Sequence, residues 1–401
     1  MHKLGRFILR GVIYVTGLIT LFVILYLNFR FYTLPNCNPQ DGVNTSIEKQ
    51  LNYLKDTVSH GAAEQMQTIY PEGFHFMYAL YGLAWAEYLL VRQKEVQADE
   101  LAEIDRSIYA LLSDKGKKQF DPNLPLAYGV FYQGWSTYLV GKRLELTRDS
   151  LLEKEFHDRC QKIALAFEQS DSPFLESYNG MVWPADNTIC IAALALSDRL
   201  YATNYHKEIE IWLSKVESRL DTKTGLIPHS SEPKTGSFLE GARGSSISLM
   251  LGFLPEIDSA FAQSQFEQYK KHFLTTRAGF RVVSEYPKGD VGSGDVDSGP
   301  VIWGVSGSGS LAGLNALSAL GKDELNTELA TTIEVLGCPL PLKSGQKTYA
   351  FGHFPMADAF IAWGNASKQV KNSASYFMLP SLISVLIAGG IVVVFYRVKS
   401  R

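Results

Sequence analysis

Six stretches of this chain are apolar nearly all round, and charged, amphipathic stretches alternate with them. The apolar ones begin at Gly73 (GFHFMYALYGLAWAEYLL), Leu124, Trp183, Ser237, Ser298 and His353. Helices of that composition are buried on every side. The stretches 46–59, 97–113, 150–169, 206–220, 258–275 and 322–336 instead predict helices with one wet face. Successive buried stretches start roughly 50 to 60 residues apart, the spacing of a repeated supersecondary unit. An outer amphipathic helix followed by an inner buried one, repeated about six times, predicts an all-α domain. The specific expectation is an (α/α)6 toroid of about six helical hairpins, with an irregular helical domain as the alternative.

The two ends break this rhythm. Residues 11–27 (GVIYVTGLITLFVILYL) and 376–396 (YFMLPSLISVLIAGGIVVVFY) carry no charge, and each is close to the roughly 20 residues a membrane-spanning helix needs. Lys3, Arg6 and Arg10 precede the first, and Arg397, Lys399 and Arg401 follow the second. The positive-inside rule then puts both termini in the cytoplasm and the middle in the periplasm or outside the cell. The expected division is an anchor over 1–30, a toroid over 31–374, and a second spanning helix with a basic tail over 375–401. A cleaved signal peptide competes for the first segment, but its apolar run is long and no A-x-A site follows it.

Apolar residues make up 46% of the 401, enough for a sizeable core. With 38 basic against 41 acidic residues, the net charge of −3 gives no electrostatic footprint for nucleic acid. Cys37, Cys160, Cys190 and Cys338 show none of the usual zinc spacings. An oxidising compartment would permit disulfides, for which four thiols allow three pairings.

From about residue 46 to 363 the pattern resembles the six-hairpin superfamily. That group includes inverting glycosidases, polysaccharide lyases, unsaturated glucuronyl hydrolases and linalool dehydratase/isomerase-like proteins. The stretches WPADN, IPHSS, EGARGSS and DVDSGP resemble the dehydratase/isomerase-like branch. Its paired active-site cysteines have no counterpart here, because Cys190 stands alone in its repeat. The resemblance implies a site where the inner-helix N-termini open together, although fold-level likeness does not establish function.

The residues at those openings are Glu72, His75, Tyr128, Asp186, Glu240, Arg243, Asp295, Asp297, His353 and Asp358. Rim loops add His229, Glu232, Glu285 and Tyr286. Asp186, Glu240, Asp295 and Asp297 are the catalytic candidates, since an inverting glycosidase needs an acid and a base roughly 6.5 to 9.5 Å apart. Asp297, just before SGP, predicts an N-cap of the fifth inner helix with Pro300 in its first turn. A helix N-terminus favours the ionised form, so Asp186 or Asp297 suits the base. Glu240, beside Phe238 and Leu239, suits the protonated acid.

Arg243 can grip an acidic sugar or form an internal salt bridge. Of Trp183 and Tyr128, with Tyr78, Trp135, Trp303 and Trp363, some are candidates for stacking on a sugar ring or a cation, while most are expected in the core. His229 and His353 join the substrate-binding candidates, as does Cys190, one turn beyond Asp186. GSGSLA from Gly307 fits a dinucleotide fingerprint but lacks its βαβ setting. No cofactor and no metal is expected. The expected partners are the membrane and a glycan or small-molecule substrate, with no nucleic acid, and no oligomeric state follows. The leading expectation is an enzyme acting on a glycan by hydrolysis or elimination. The alternatives are a dehydratase/isomerase of a terpenoid or lipid-like alcohol, and a non-catalytic scaffold.

Overall fold

The computed structural model describes residues 2–32, 45–92, 94–342, 345–366 and 378–399. Cys37 and the joins between the domain and its terminal segments, in 33–44 and 367–377, lie outside them. The chain opens on α1 (His2–Tyr32). Amphipathic α2 (Thr45–Ser59) and the short α3 (Ala62–Gln67) lead to the buried α4 (Gly73–Val91). In the same way α5 (Ala98–Leu112) and α6 (Asp114–Lys117) precede α7 (Gly129–Leu146), and α8 (Ser150–Glu168) precedes α9 (Pro184–Tyr201). Next come α10 (His206–Glu217), the hairpin β1 (Ser230–Ser231) and β2 (Phe238–Glu240), and α11 (Gly244–Leu251). α12 (Leu254–Ile257), α13 (Ser259–His272) and a second antiparallel hairpin, β3 (Leu274–Arg277) and β4 (Phe280–Val283), lead to α14 (Gly307–Ala319). α15 (Asp323–Leu336), β5 (Leu340–Pro341) and β6 (Lys347–Thr348) lead to α16 (Pro355–Ala366), and α17 (Met378–Lys399) follows.

The protein is therefore mostly helical with a few short strands, and the amphipathic segments fall where the pattern puts them. Three of them begin with the chemistry that starts helices. Gln97 and Glu100 form a capping box at α5, Asp149 accepts the Leu151 and Leu152 amides at α8, and Asp258 accepts the Phe261 amide at α13.

The six buried helices contact one another in chain order. α4 packs on α7, α7 on α9, α9 on α11, α11 on α14 and α14 on α16, which returns to α4. At their centre Trp135 of α7 meets Phe253 at 5.8 Å and Trp363 of α16 at 6.0 Å, with Phe76 of α4 at 5.2 Å. Trp135 and Trp363 are buried core, as expected for most of these aromatics, and are not available for sugar stacking.

Several inner helices start later than their apolar runs. α11 begins at Gly244 rather than 237, and α14 at Gly307 rather than 298. Asp297 therefore caps no helix: Ser306 caps α14, accepting the Gly309 amide at 3.0 Å. The reason lies in the backbone between them, where Gly299, Trp303 and Gly304 all take positive φ and interrupt any helix.

Both terminal helices are long and apolar enough to cross a membrane, over Gly5–Arg30 and Met378–Lys399. They pack antiparallel, with Tyr14 against Phe395 and the Asn28 amide donating to Ser384 Oγ at 2.9 Å. Arg30 ties them to the domain through a 2.7 Å ion pair with Glu334 of α15. Cys160, Cys190 and Cys338 are free thiols, so none of the disulfides the sequence permits forms among them.

Candidate functional site

The first turn of α9 places Asp186 behind Pro184, where a carboxylate meets the positive end of the helix. The side chain is only 7% exposed and accepts a 2.6 Å hydrogen bond from Ser177 Oγ. Desolvation outweighs that bond, and with Glu72 and Asp297 nearby it lifts the pKa to about 8. Asp186 is therefore protonated at neutral pH, which reverses its expected role as the ionised base.

Hairpin β1–β2 brings His229 and Glu240 to the same place, His229 N–H donating to Glu240 O at 3.1 Å. Glu240 lies on this hairpin and not at a helix start, and its neighbours Phe238 and Leu239 are exposed. The apolar enclosure expected for a protonated acid is thus missing, although partial desolvation still raises its pKa.

Arg243, at the N-cap position of α11, organises the floor. It is 2% exposed, and its Nε donates to Glu285 Oε1 at 2.7 Å. Its Nη1 donates to Asp295 and lies 3.5 Å from Glu240 and 3.4 Å from His229 Nε2. The salt bridge considered for Glu240 is therefore present but long, and Glu285 and Asp295 are the closer partners. Nη2 is buried without a hydrogen-bond partner. Glu285, fully buried, also accepts from Ser245 Oγ and the Ser245 amide at the start of α11. This junction needs Gly244, where a Cβ would fall 1.9 Å from Ser284 O.

The loop before α14 carries the two aspartates. Asp295 Oδ1 accepts the Asp297 amide at 3.0 Å and the Ser298 amide at 3.1 Å, an Asx-type turn that folds the loop onto Arg243. Desolvation alone would raise the Asp295 pKa, but Arg243 and the Ser298 amide overcome it and hold the carboxyl well below its usual range. Asp297 makes no such bond. Desolvation by the surrounding protein, then Asp295 and Glu72, raise its pKa to about 6, although its side chain reaches solvent.

Oxygens of Asp295 and Asp297 and a ring nitrogen of His229 lie within 4.8 Å of one another, a spacing that could hold a metal ion. Arg243 Nη1 bonds one of these groups and abuts another, so a cation placed there would meet the guanidinium. His229 Nδ1 lies 2.5 Å from Ser246 Oγ, and desolvation followed by Arg243 lowers the ring pKa to about 4. It is neutral at pH 7.

Glu72, at the N-cap position of α4, accepts a 2.6 Å bond from Tyr178 OH, and Tyr178 packs edge-on against Trp183 at 5.7 Å. Tyr178 escaped the sequence reading because it sits in a loop, in YNG, with no periodic pattern to point inward. Tyr128, half-buried in the left-handed region at the start of α7, packs on Tyr132 at 5.4 Å. Two candidates fall elsewhere. Cys190 is fully buried, its Sγ donating to Val130 O at 3.3 Å, and burial pushes its thiol pKa far up. His353 is exposed after a 3-10 turn, while Asp358 turns inward to accept from Thr348 Oγ1 and the Tyr349 amide.

No protein-family model matches this chain, and no curated protein matches it.

Proposed function

We propose that this chain is a membrane-anchored enzyme that hydrolyses a glycan by general acid–base catalysis at the mouth of an (α/α)6 toroid. The cyclic contact order of the six buried helices supports the toroid. The two apolar terminal helices, with Arg6 and Arg10 on one and Arg397 and Lys399 on the other, support an extracytoplasmic domain with both termini inside.

The observation that carries the chemistry is that neighbouring carboxyls are pushed to different protonation states. Asp186 keeps its proton to about pH 8, Asp297 loses its proton near 6, and Asp295 is ionised throughout. Asp186 is the acid that protonates a leaving oxygen, and accessible Asp297 is the base that activates water. Asp295 is fixed on Arg243 and serves as a positioning residue. Its oxygen lies within 4.8 Å of Asp297, closer than an inverting acid–base pair stands, so these two do not form that pair. Trp183 with Tyr178 is an aromatic wall for the ring.

Asp297→Asn is the direct test, with the full-length protein assayed on a panel of polysaccharide fragments. Loss of a general base lowers kcat by about 10²- to 10⁴-fold, and the acid limb of the pH–rate profile, expected near 6, disappears with it. Wild-type turnover by the variant, or no cleavage of any glycan by the wild type, would sink the proposal.

A further inference from the structure

Ile302 and Trp303 are 72% and 71% exposed, side by side, on the loop that carries the catalytic candidates. Trp303 also has a φ of 56°, a left-handed conformation that bulky residues rarely adopt. Strain of this kind persists where the surrounding structure enforces it, and it clusters at functional positions.

Two sets of contacts say what this pair faces. Arg277 Nε of β3 donates to Trp303 O at 3.3 Å, joining the pair to the β3–β4 hairpin. The hairpin tip, Gly279, lies directly on the first turn of α17, where a Cβ would come within 2.9 Å of Pro380 Cγ. The exposed pair is thus bound to the element that touches the entry of a spanning helix. On its other side the loop reaches the site, since the Glu285 amide donates to Gly304 O at 3.2 Å.

We propose that Ile302 and Trp303 form a wedge resting in the interfacial layer of the bilayer crossed by α1 and α17, so that the carboxylate mouth opens beside the lipid headgroups. A tryptophan with an apolar body and a polar N–H suits that layer, and Arg277 behind it suits the phosphates. The inference rests on the membrane-anchored reading. It deepens that reading by making the glycan one that stands on the membrane, carried by a lipid.

The test uses the full-length chain in phosphatidylcholine vesicles whose acyl chains are brominated close to the headgroup. Wild-type fluorescence minus that of Trp303→Phe isolates Trp303 from the chain's six tryptophans. The expected result is strong quenching of that difference signal by brominated lipid and little quenching by aqueous iodide. Quenching by iodide alone would overturn the wedge. A second variant, Val392→Trp in the Trp303→Phe background, reports on α17 itself. If brominated lipid quenches the residue-392 probe but not Trp303, the wedge fails while the anchor stands. If it quenches neither, the anchored reading fails and takes the wedge with it.

Discussion

Asp186→Asn is expected to stabilise the protein above about pH 9 while leaving it close to wild type near pH 4. The folded carboxyl has its pKa raised from 3.8 to about 8, chiefly because it is desolvated against α9 and the Ser177 loop. At acid pH both folded and unfolded chains hold the proton, and the residue contributes no pH dependence. As pH rises past 4 the unfolded chain releases its proton and the folded one does not, so stability falls until about 8 and then levels off. The full span corresponds to a destabilisation on the order of 5 kcal/mol. Asparagine cannot ionise and escapes it, at a cost of about 1 kcal/mol for an imperfect bond to Ser177. Denaturant titrations of wild type and variant across this range check the claim. A stability difference that does not move with pH would mean that Asp186 titrates normally. The same variant is expected to lose about 10²- to 10⁴-fold in kcat below about pH 8, where the wild-type carboxyl still holds its proton, because an amide cannot act as the acid. A variant that is more stable and yet inactive separates a chemical role from a capping one.

How much of this was legible beforehand differs between helix and loop. The outer helices were readable to within a few residues because their polar faces and caps, such as Gln97, Asp149 and Asp258, are written locally. The buried helices were readable as apolar runs, but a run does not mark its own start. In 237–243 and 298–306 the apolar residues belong to site loops, and Trp303 and Leu239 are exposed. Asp186 was correctly placed in a first turn, yet its protonation was misjudged. Dipole and proline are visible in sequence, whereas burial against Ser177 and the approach of Glu72 and Asp297 are tertiary facts. Glu285 was a minor rim candidate for a similar reason. Nothing in SEYPKGD announces that Glu285 alone turns fully inward to meet an arginine 42 residues earlier.

That pairing carries the other large effect. Arg243→Met should destabilise the protein by about 3 to 5 kcal/mol, because it strips a fully buried Glu285 of its counter-charge and leaves only the Ser245 amide and hydroxyl to hold it. Arg243→Lys should recover only part of this, since one ammonium cannot serve Glu285 through Nε and Asp295 through Nη1 together. Adding Glu285→Gln to Arg243→Met should restore much of the loss, giving a coupling of about 2 kcal/mol or more between the two positions. Chemical unfolding of the full-length protein in detergent measures these variants and Glu285→Gln alone, which completes the cycle. Simple additivity would mean that the two side chains do not hold one another in place. Asp295 supplies an internal check with the opposite pH sign from Asp186. Its depressed pKa contributes stability that is present above the ordinary aspartate range and is lost only as the pH falls into strong acid. In Arg243→Met that acid-side loss should shrink or vanish, because without the guanidinium the folded pKa of Asp295 rises towards its unfolded value.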